Sequence, residues 1–364
     1  MSSIEAPRRT RRTIGVYRGA IDGARKIAWA ASAPYRCCRE LRLPRAASPG
    51  HRGAGGLAYH GRVISNLDEL FAPLGAGRFF AEHYEKRPLH LAGSGTLPRA
   101  LLTHEGLLRA IEGAARGGRG AVPEGLVLFA EQTGTTAAEL VADEAAMRAY
   151  LEAGHPLVWN RARGVSPAVD ALAELLAEAF GARVWPNVYA TGTAGTPFDV
   201  HFDAHEVIAI QCEGEKGWWL SEVRVDRPLD APEMEAAIEA ALRLRRDEAA
   251  ARTLCEWTAR PGDLVYIPRG QFHNARAAGG RSLHVTFGIR PPSGFELAQV
   301  IVRELLADPL LRELLPPRAG DPDGAKTSAL LAEVAGRARA AFGREEVLAA
   351  ADEARARWRG PGAA

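Results

Sequence analysis

The stretch HFDAHEVIAIQCEGEKGWWL, residues 201–220, holds two histidines and an aspartate within five residues and continues directly into an apolar run. On a helix, His201 and His205 would share a face because they lie four residues apart. The surroundings favour a strand, since GTAGTP precedes the motif and VIAIQC follows it. With the strand period of two, His201 and Asp203, and with them His205, point to one side. The pattern therefore offers an imidazole and a carboxylate to one cation.

A third ligand is expected from RPGDLVYIPRGQFHNA, residues 260–275. The Pro-Gly-Asp sequence predicts a turn, LVYIP a short strand, and Gly270 a second turn just before His273. A histidine at that position would lie at the mouth of a barrel. A His-x-Asp pair alone is common by chance, and it is the distant histidine in this context that makes a metal site the favoured hypothesis.

The predicted ligand set combines two histidines with one carboxylate. Such a set leaves about three positions open on an octahedral ion and suits Fe(II) in oxygenases. His205 is then a neighbour of the site, on the substrate side, rather than a ligand. The predicted metal ligands are His201, Asp203 and His273.

The segment from Val184 to Arg290 has the composition of an all-β sandwich or barrel, with short β-branched and aromatic runs broken by Gly and Pro. A helical insertion is predicted over 231–251. Amphipathic helices and short strands precede the β-rich segment, and the best-marked helix, SPAVDALAELLAEAFG, has Ser166 as its cap and Gly181 as its stop. Helices follow Pro291. The predicted fold class is therefore α+β.

Composition is ordinary for a globular protein, with 47% hydrophobic and 25% charged residues in a chain of 364. No apolar run reaches the roughly 18 residues that a membrane span requires, and no secretory signal is recognisable. The four cysteines follow no zinc or disulfide spacing. These features predict a cytoplasmic protein that does not bind a membrane.

Charge is unevenly distributed along the chain. Residues 1–52 carry twelve Arg and Lys against three acidic residues, a net charge of +9, whereas the whole chain has only +2. A basic arm of this kind could touch nucleic acid. We favour the interpretation that residues 1–62 are a disordered tail.

Beyond these patterns, the sequence resembles a known family, the cupin-like JmjC-domain 2-oxoglutarate/Fe(II) oxygenases of the ribosomal-oxygenase type, which hydroxylate proteins. The motifs that carry the resemblance lie between about residues 66 and 292. They are FFAEHYEKRPLHL, NVYATGTAGTPFDVHFDAHEVIAIQCEGEKGWWL, RPGDLVYIPRGQFHNA and SLHVTFG. Their order and spacing are far more specific than a single His-x-Asp pair.

The resemblance implies a double-stranded β-helix, also called a jelly roll, that binds Fe(II), 2-oxoglutarate and O2. It implies that Lys216 anchors the far carboxylate of 2-oxoglutarate, as a dicarboxylate needs a fixed cation. It further implies co-substrate contacts from Tyr189, Asn187, His284 and Thr286. The chain then divides into a basic tail (1–62), an N-terminal α/β part that supports the barrel (63–165), the JmjC barrel (166–293) and a C-terminal helical segment (294–364).

The sequence departs from the family pattern near the expected substrate groove. Gln271 stands where the family often has an aromatic pair before the distal histidine, and Asp199 adds a carboxylate near the predicted metal. The loop ATGTAGTPFDVHFD lacks the Pro-Gly-rich form usual there. The C-terminal segment is short for both a dimerisation segment and a full winged-helix domain.

The implied function is hydroxylation of a side chain in a protein or peptide, with ribosomal proteins as candidate substrates. Two alternatives stay open from the sequence: a small-molecule hydroxylase of a biosynthetic pathway, and a cupin that binds metal without turnover. The apolar stretch LAQVIVRELL (297–306) suggests a homodimer, with packing against the barrel as the alternative.

Overall fold

The computed structural model describes residues 64–93, 101–118, 121–129, 134–192 and 199–342, together with Glu345 and Asp352. The predicted tail, 1–62, lies outside the described residues, as does most of the C-terminal stretch beyond 342. Within the described residues, no helix is both long enough and apolar enough to cross a membrane.

Helices and short strands alternate in the first part of the chain. Asn66 caps the first helix by accepting a hydrogen bond from the Glu69 amide. The elements in this part are α1 (Leu67–Leu70), α2 (Ala76–Glu82), β1 (Leu89–Leu91), α3 (His104–Gly117), β2 (Leu126–Leu128), α4 (Ala137–Ala142), α5 (Glu144–Glu152), β3 (Leu157–Trp159) and α6 (Pro167–Phe180).

Helix α6 begins and ends where its sequence predicts. The Ser166 hydroxyl accepts a hydrogen bond from the Val169 amide, and Gly181 takes the left-handed conformation that ends the helix. Helix α4 is absent from the sequence-based prediction. It is short and is held by a capping box between Thr136 and Glu139.

The β-rich region contains β4 (Arg183–Thr191), β5 (Glu206–Glu213), β6 (Lys216–Arg224), β7 (Thr253–Ala259), β8 (Leu264–Ile267), β9 (Gln271–Ala277) and β10 (Ser282–Arg290). Helix α7 (Glu235–Ala250) is the predicted insertion between β6 and β7. After the barrel come α8 (Gly294–Leu305) and α9 (Ala325–Phe342), with short 3-10 turns at Pro309–Arg312 and Arg318–Gly320. A further 3-10 turn, Pro232–Met234, leads into α7.

Strand β9 differs from the expectation that His273 follows directly on a turn. Gly270 does make a turn, with φ of 79°, but the strand starts at the next residue and carries His273 in its third position. The strand is hard to recognise from sequence because QFHNARA is mostly polar.

The strands form two antiparallel sheets. The larger has the order β1-β8-β5-β10-β4-β3-β2 and the smaller β7-β6-β9. This arrangement and the flanking helices confirm the predicted α+β fold with a jelly-roll core. Strands β1 to β3 come from the segment 63–165 and extend the large sheet, in keeping with a supporting role; the exact domain boundaries stay a prediction.

The two faces of the large sheet have different partners. Ile208, Val285 and Phe287 lie on the outer face, in the main core with the helices. Val207 and Ala209 lie on the inner face and pack against Trp218 and Trp257 of the small sheet. Because side chains alternate along a strand, residues 284, 286 and 288 of β10 face the barrel interior.

Candidate metal centre

The three predicted ligands come together at one end of the barrel. His201, Asp203 and His273 each offer a ligand atom, and these atoms all lie within 4.8 Å of one another. His201 and His273 form an isolated antiparallel bridge with backbone N–H···O distances of 3.1 and 2.8 Å. The Gly270 amide donates to the Asp203 carbonyl at 2.7 Å. Backbone pairing between distant segments therefore places the candidate ligands together.

Both histidines present the same ring nitrogen to the centre. Nδ1 of His201 donates to the carbonyl of Asp199 at 2.8 Å, and Nδ1 of His273 donates to the carbonyl of Gln271 at 2.9 Å. A carbonyl only accepts, so Nδ1 carries the proton and Nε2 carries the lone pair. The Nε2 of His273 lies 3.7 Å from Oδ2 of Asp203. Both rings are thus fixed in the tautomer that binds a metal through Nε2.

The electrostatics of the centre favour the metal-binding protonation states. Burial raises the pKa of Asp203, but the neighbouring His205, His273 and His201 outweigh it and hold that pKa below its usual value. Burial, with the charge of His201, lowers the pKa of His273 to about 4. At neutral pH the centre therefore offers a carboxylate and a neutral imidazole, and the Asp203 side chain remains 31% exposed through the open side.

A buried cation lies deeper in the barrel. Lys216 is 2% exposed and its Nζ donates to the Thr191 hydroxyl at 2.9 Å. Among the described residues, no carboxylate lies within ion-pair distance of it. Burial lowers the pKa of Lys216 to about 8, which shows how poorly its charge is compensated by the protein alone. A buried ammonium whose described partner is a hydroxyl fits the far carboxylate of a dicarboxylate ligand.

The other predicted co-substrate residues lie on two paired strands of the large sheet. Tyr189 pairs with His284, and Asn187 with Thr286, as direct neighbours on β4 and β10. The Tyr189 and His284 rings stack at 4.8 Å with an interplanar angle of 7°. Burial and the charge of Lys216 hold the pKa of His284 well below its usual value, so this ring is neutral.

His284 also carries a buried polar atom, Nδ1, that has no hydrogen-bond partner in the described structure. The Trp218 and His284 rings meet edge to face, with their centroids 5.6 Å apart. The side-chain oxygen of Asn187 already has a hydrogen bond within the protein, since Oδ1 accepts from the Arg161 amide at 2.9 Å. An unsatisfied buried nitrogen beside an uncompensated ammonium indicates a polar pocket built for a ligand.

Two of the noted departures have a different role from the one expected. The Asp199 carboxylate is 87% exposed and lies 3.8 Å from Arg246, so it faces away from the centre while its carbonyl orients His201. Gln271 points its amide nitrogen at the backbone carbonyls of Ser221 and Val223, at 2.5 and 3.2 Å. Neither side chain is available as a metal ligand.

The mouth of the barrel contains an aromatic residue that the sequence analysis missed. The Trp185 ring contacts the His205 ring, with centroids 4.9 Å apart. It lies over Gly288, where an added Cβ would be 2.5 Å from the indole. Two signals could have found it: Trp185 has the same strand parity as Asn187 and Tyr189, and a glycine occupies the facing position on β10.

Comparison with known proteins finds a family model that matches part of the chain. Residues 159–297 match the family model described as "JmjC domain", a range that includes all three candidate ligands and Lys216. This part of the chain is similar to JmjC domains.

The curated relatives are similar to about a third of this chain. Rat "Ribosomal oxygenase 1" is 36% identical over 122 residues, 33% of this chain and 19% of that protein. Cattle "Ribosomal oxygenase 2" is 37% identical over 109 residues, 29% of this chain and 21% of that protein. Caenorhabditis elegans "Bifunctional lysine-specific demethylase and histidyl-hydroxylase NO66" is 36% identical over 117 residues, which are 32% of this chain and 15% of that protein. The alignments thus span about a fifth or less of these relatives.

Among solved structures, the Escherichia coli ribosomal oxygenase YcfD, described in complex with cobalt and 2-oxoglutarate, aligns with 75% of this chain and 68% of its own. The sequence identity is 18% and the TM-score 0.44. The likeness to JmjC domains is therefore taken from the family model and the sequence relatives, and not from this solved structure.

Proposed function

We propose that this protein is an Fe(II)- and 2-oxoglutarate-dependent oxygenase that hydroxylates a side chain of a protein or peptide. The observation that carries the proposal is the placement, in one JmjC barrel, of a two-histidine, one-carboxylate set and a buried lysine without a described carboxylate partner. The donor set suits divalent iron and leaves coordination positions for other ligands.

Each group of the chain has a task in this reaction. His201, Asp203 and His273 would hold the metal. Lys216, with Thr191 beside it, would fix the far carboxylate of 2-oxoglutarate by a charge-assisted hydrogen bond. When bound, the iron and 2-oxoglutarate supply the oxidising power for C–H hydroxylation with O2. The barrel walls exclude water from that chemistry, and the stacked Tyr189 and His284 rings narrow the pocket.

The substrate would enter past Trp185 and His205. Both side chains lie at the mouth, and His205 is two residues beyond Asp203. Relatives named as ribosomal oxygenases and as a histidyl-hydroxylase support a protein substrate, with ribosomal proteins the first to test. We also propose that the protein works in the cytoplasm. The basic tail stays a candidate contact for nucleic acid.

The test has two parts. Purified protein with Fe(II) and 2-oxoglutarate should release succinate and CO2, and His201→Ala combined with Asp203→Ala should abolish this. Turnover that persists in the double variant would overturn the metal assignment. Proteins from cells with active enzyme and with the double variant are then compared by mass spectrometry for the gain of one oxygen atom. Turnover without any modified protein would favour the small-molecule alternative, and metal binding without turnover the inactive cupin.

A further inference from the structure

Two phenylalanines alternate with the candidate metal ligands along the chain. Phe202 lies between His201 and Asp203, and Phe272 directly precedes His273. Because side chains alternate on extended backbone, the phenylalanines point away from the barrel interior that the ligands face. Their rings meet edge to face, 5.1 Å apart at 73°, and both are buried. One aromatic contact thus joins the two ligand-bearing segments on the side that faces away from the ligands.

In the described part of the chain, these segments are joined by few backbone hydrogen bonds. His201 takes part in an isolated bridge rather than a longer ladder, and Asp203 is tied through its carbonyl to Gly270. A short pairing of this kind resists shear poorly, since each hydrogen bond contributes only about 0.5–1.5 kcal/mol. Packing from outside the barrel has to fix the spacing between the ligands.

Helix α7 supplies that packing. Its inner face, with Ala241 and Ala249 buried and Ile238 and Leu242 half-buried, belongs to the same apolar cluster as Phe202 and Phe272. This cluster also contains Val223 and Val225 of the β6 region. The rest of α7 is largely charged and exposed, and Leu244 is 79% exposed. The helix therefore has one apolar contact surface, and it lies behind the metal centre.

Hydrogen bonds fix α7 to the neighbouring strand. The Ser221 hydroxyl donates to the carbonyl of Ala249 at 2.8 Å, and Arg245 donates to the carbonyl of Arg224 at 3.2 Å. At its other side, Arg246 approaches Asp199, whose carbonyl orients His201. The helix is thus held at β6, and an exposed ion pair at 3.8 Å points toward the His201 segment.

We propose that α7 is a positioning element for the metal centre, acting through Phe202 and Phe272 on the backbone that carries the ligands. The inference rests on the proposed function, since it takes the three-residue set as a metal site. It assigns a role to a helix that contributes no ligand atom. Groups that orient ligands from behind commonly change metal affinity by about 10–100-fold when removed.

The test uses Co(II) as the probe, with binding followed through its visible absorption. Leu242→Ala removes packing behind Phe202 and Phe272 without touching a ligand. Leu244→Ala, the same change on the exposed face of the same helix, is the matched control. We expect Leu242→Ala to weaken Co(II) binding by about tenfold or more and to shift the absorption band, while Leu244→Ala matches wild type.

Folding is verified by circular dichroism, and Ile238→Val, a smaller deletion on the same face, replaces Leu242→Ala if that variant does not fold. A folded variant with wild-type affinity and spectrum would overturn the inference, even if its melting temperature falls. His201→Ala separates the two proposals. If it leaves Co(II) binding intact, the metal site and this inference fall together; if it abolishes binding while Leu242→Ala does not affect it, only the inference falls.

Discussion

At the scale of single residues, the protonation state of Lys216 decides whether a dicarboxylate can bind. Burial lowers its pKa to about 8, so the ammonium is present below that pH and is lost above it. Only the charged form provides the charge-assisted hydrogen bond to a carboxylate. The co-substrate pocket should therefore be active at neutral pH and fail in moderately alkaline solution.

We predict that the affinity for 2-oxoglutarate is constant below about pH 7 and falls above about pH 8, approaching tenfold per pH unit. Isothermal titration of the Mn(II)-loaded protein measures it without turnover. Lys216→Met should bind weakly at every pH, because it lacks the charge altogether. An affinity that stays constant from about pH 7 to 9 in the wild type would contradict the assignment of Lys216.

Gly288 is required by the indole that lies over it. An added Cβ would approach Cε2 of Trp185 to 2.5 Å, so Gly288→Ala should lower the free energy of unfolding by about 1–3 kcal/mol. Urea denaturation measures this loss. In a Trp185→Ala background the same change should cost much less, because the indole is gone.

Gly217→Ala is the matched control for this cycle, since its added Cβ would come no closer than 3.6 Å to another heavy atom. If Gly288→Ala costs the same with and without the indole, Trp185 does not occupy the position described.

At the scale of elements, the register of β6 against β9 depends on one side chain. The pairing shifts between Leu220 and Arg224, and Gln271 fills the irregularity by donating to the carbonyls of Ser221 and Val223. The same strand carries His273 two residues later. A glutamine at this position therefore has a structural reason that is independent of the substrate.

Gln271→Ala should lower the free energy of unfolding by about 1–3 kcal/mol, because two buried carbonyls lose their donor. Chemical denaturation gives the value, and Gln299→Ala on the exposed side of α8 is the control for the same chemical change. Equal losses in the two variants would mean that the hydrogen bonds of Gln271 contribute nothing particular to the pairing.

At the scale of the whole molecule, the C-terminal helices combine a small core with exposed apolar side chains. Ile301 and Leu305 of α8 are buried against Ala341 of α9. On its other side, α8 leaves Val302 51% exposed, and Leu306, the residue after the helix, is 57% exposed. One face of this stretch therefore packs against α9 and another is exposed, and the homodimer stays a prediction.

We propose that the protein is a homodimer through this open face, as expected from the sequence. Val302→Glu with Leu306→Glu should halve the molar mass measured by light scattering, because buried carboxylates without partners would oppose association. Leu244→Glu on the exposed face of α7 should leave the mass unchanged. A wild type that is monomeric at all accessible concentrations would contradict the dimer.

The sequence by itself determined the fold class, the order of most elements and the candidate ligand set. Strand parity predicted that His201 and Asp203 face the same way, although the structure has only an isolated bridge at His201 and β5 begins at Glu206. The pairs Tyr189 with His284 and Asn187 with Thr286 also follow a period-two pattern on their own strands. These features depend on short-range geometry, which the residue pattern specifies directly.

Only the tertiary structure decided which side chains meet across the chain. It showed that the Asp199 carboxylate points away from the centre and that Gln271 hydrogen-bonds at the register shift of β6. It also showed that Trp185 lies over Gly288 at the mouth of the barrel. It also placed α7 behind the ligands, although the helix begins 32 residues after Asp203 and ends 23 residues before His273 in the sequence. Contacts of this kind depend on register shifts and on packing between distant segments, and no local pattern encodes them.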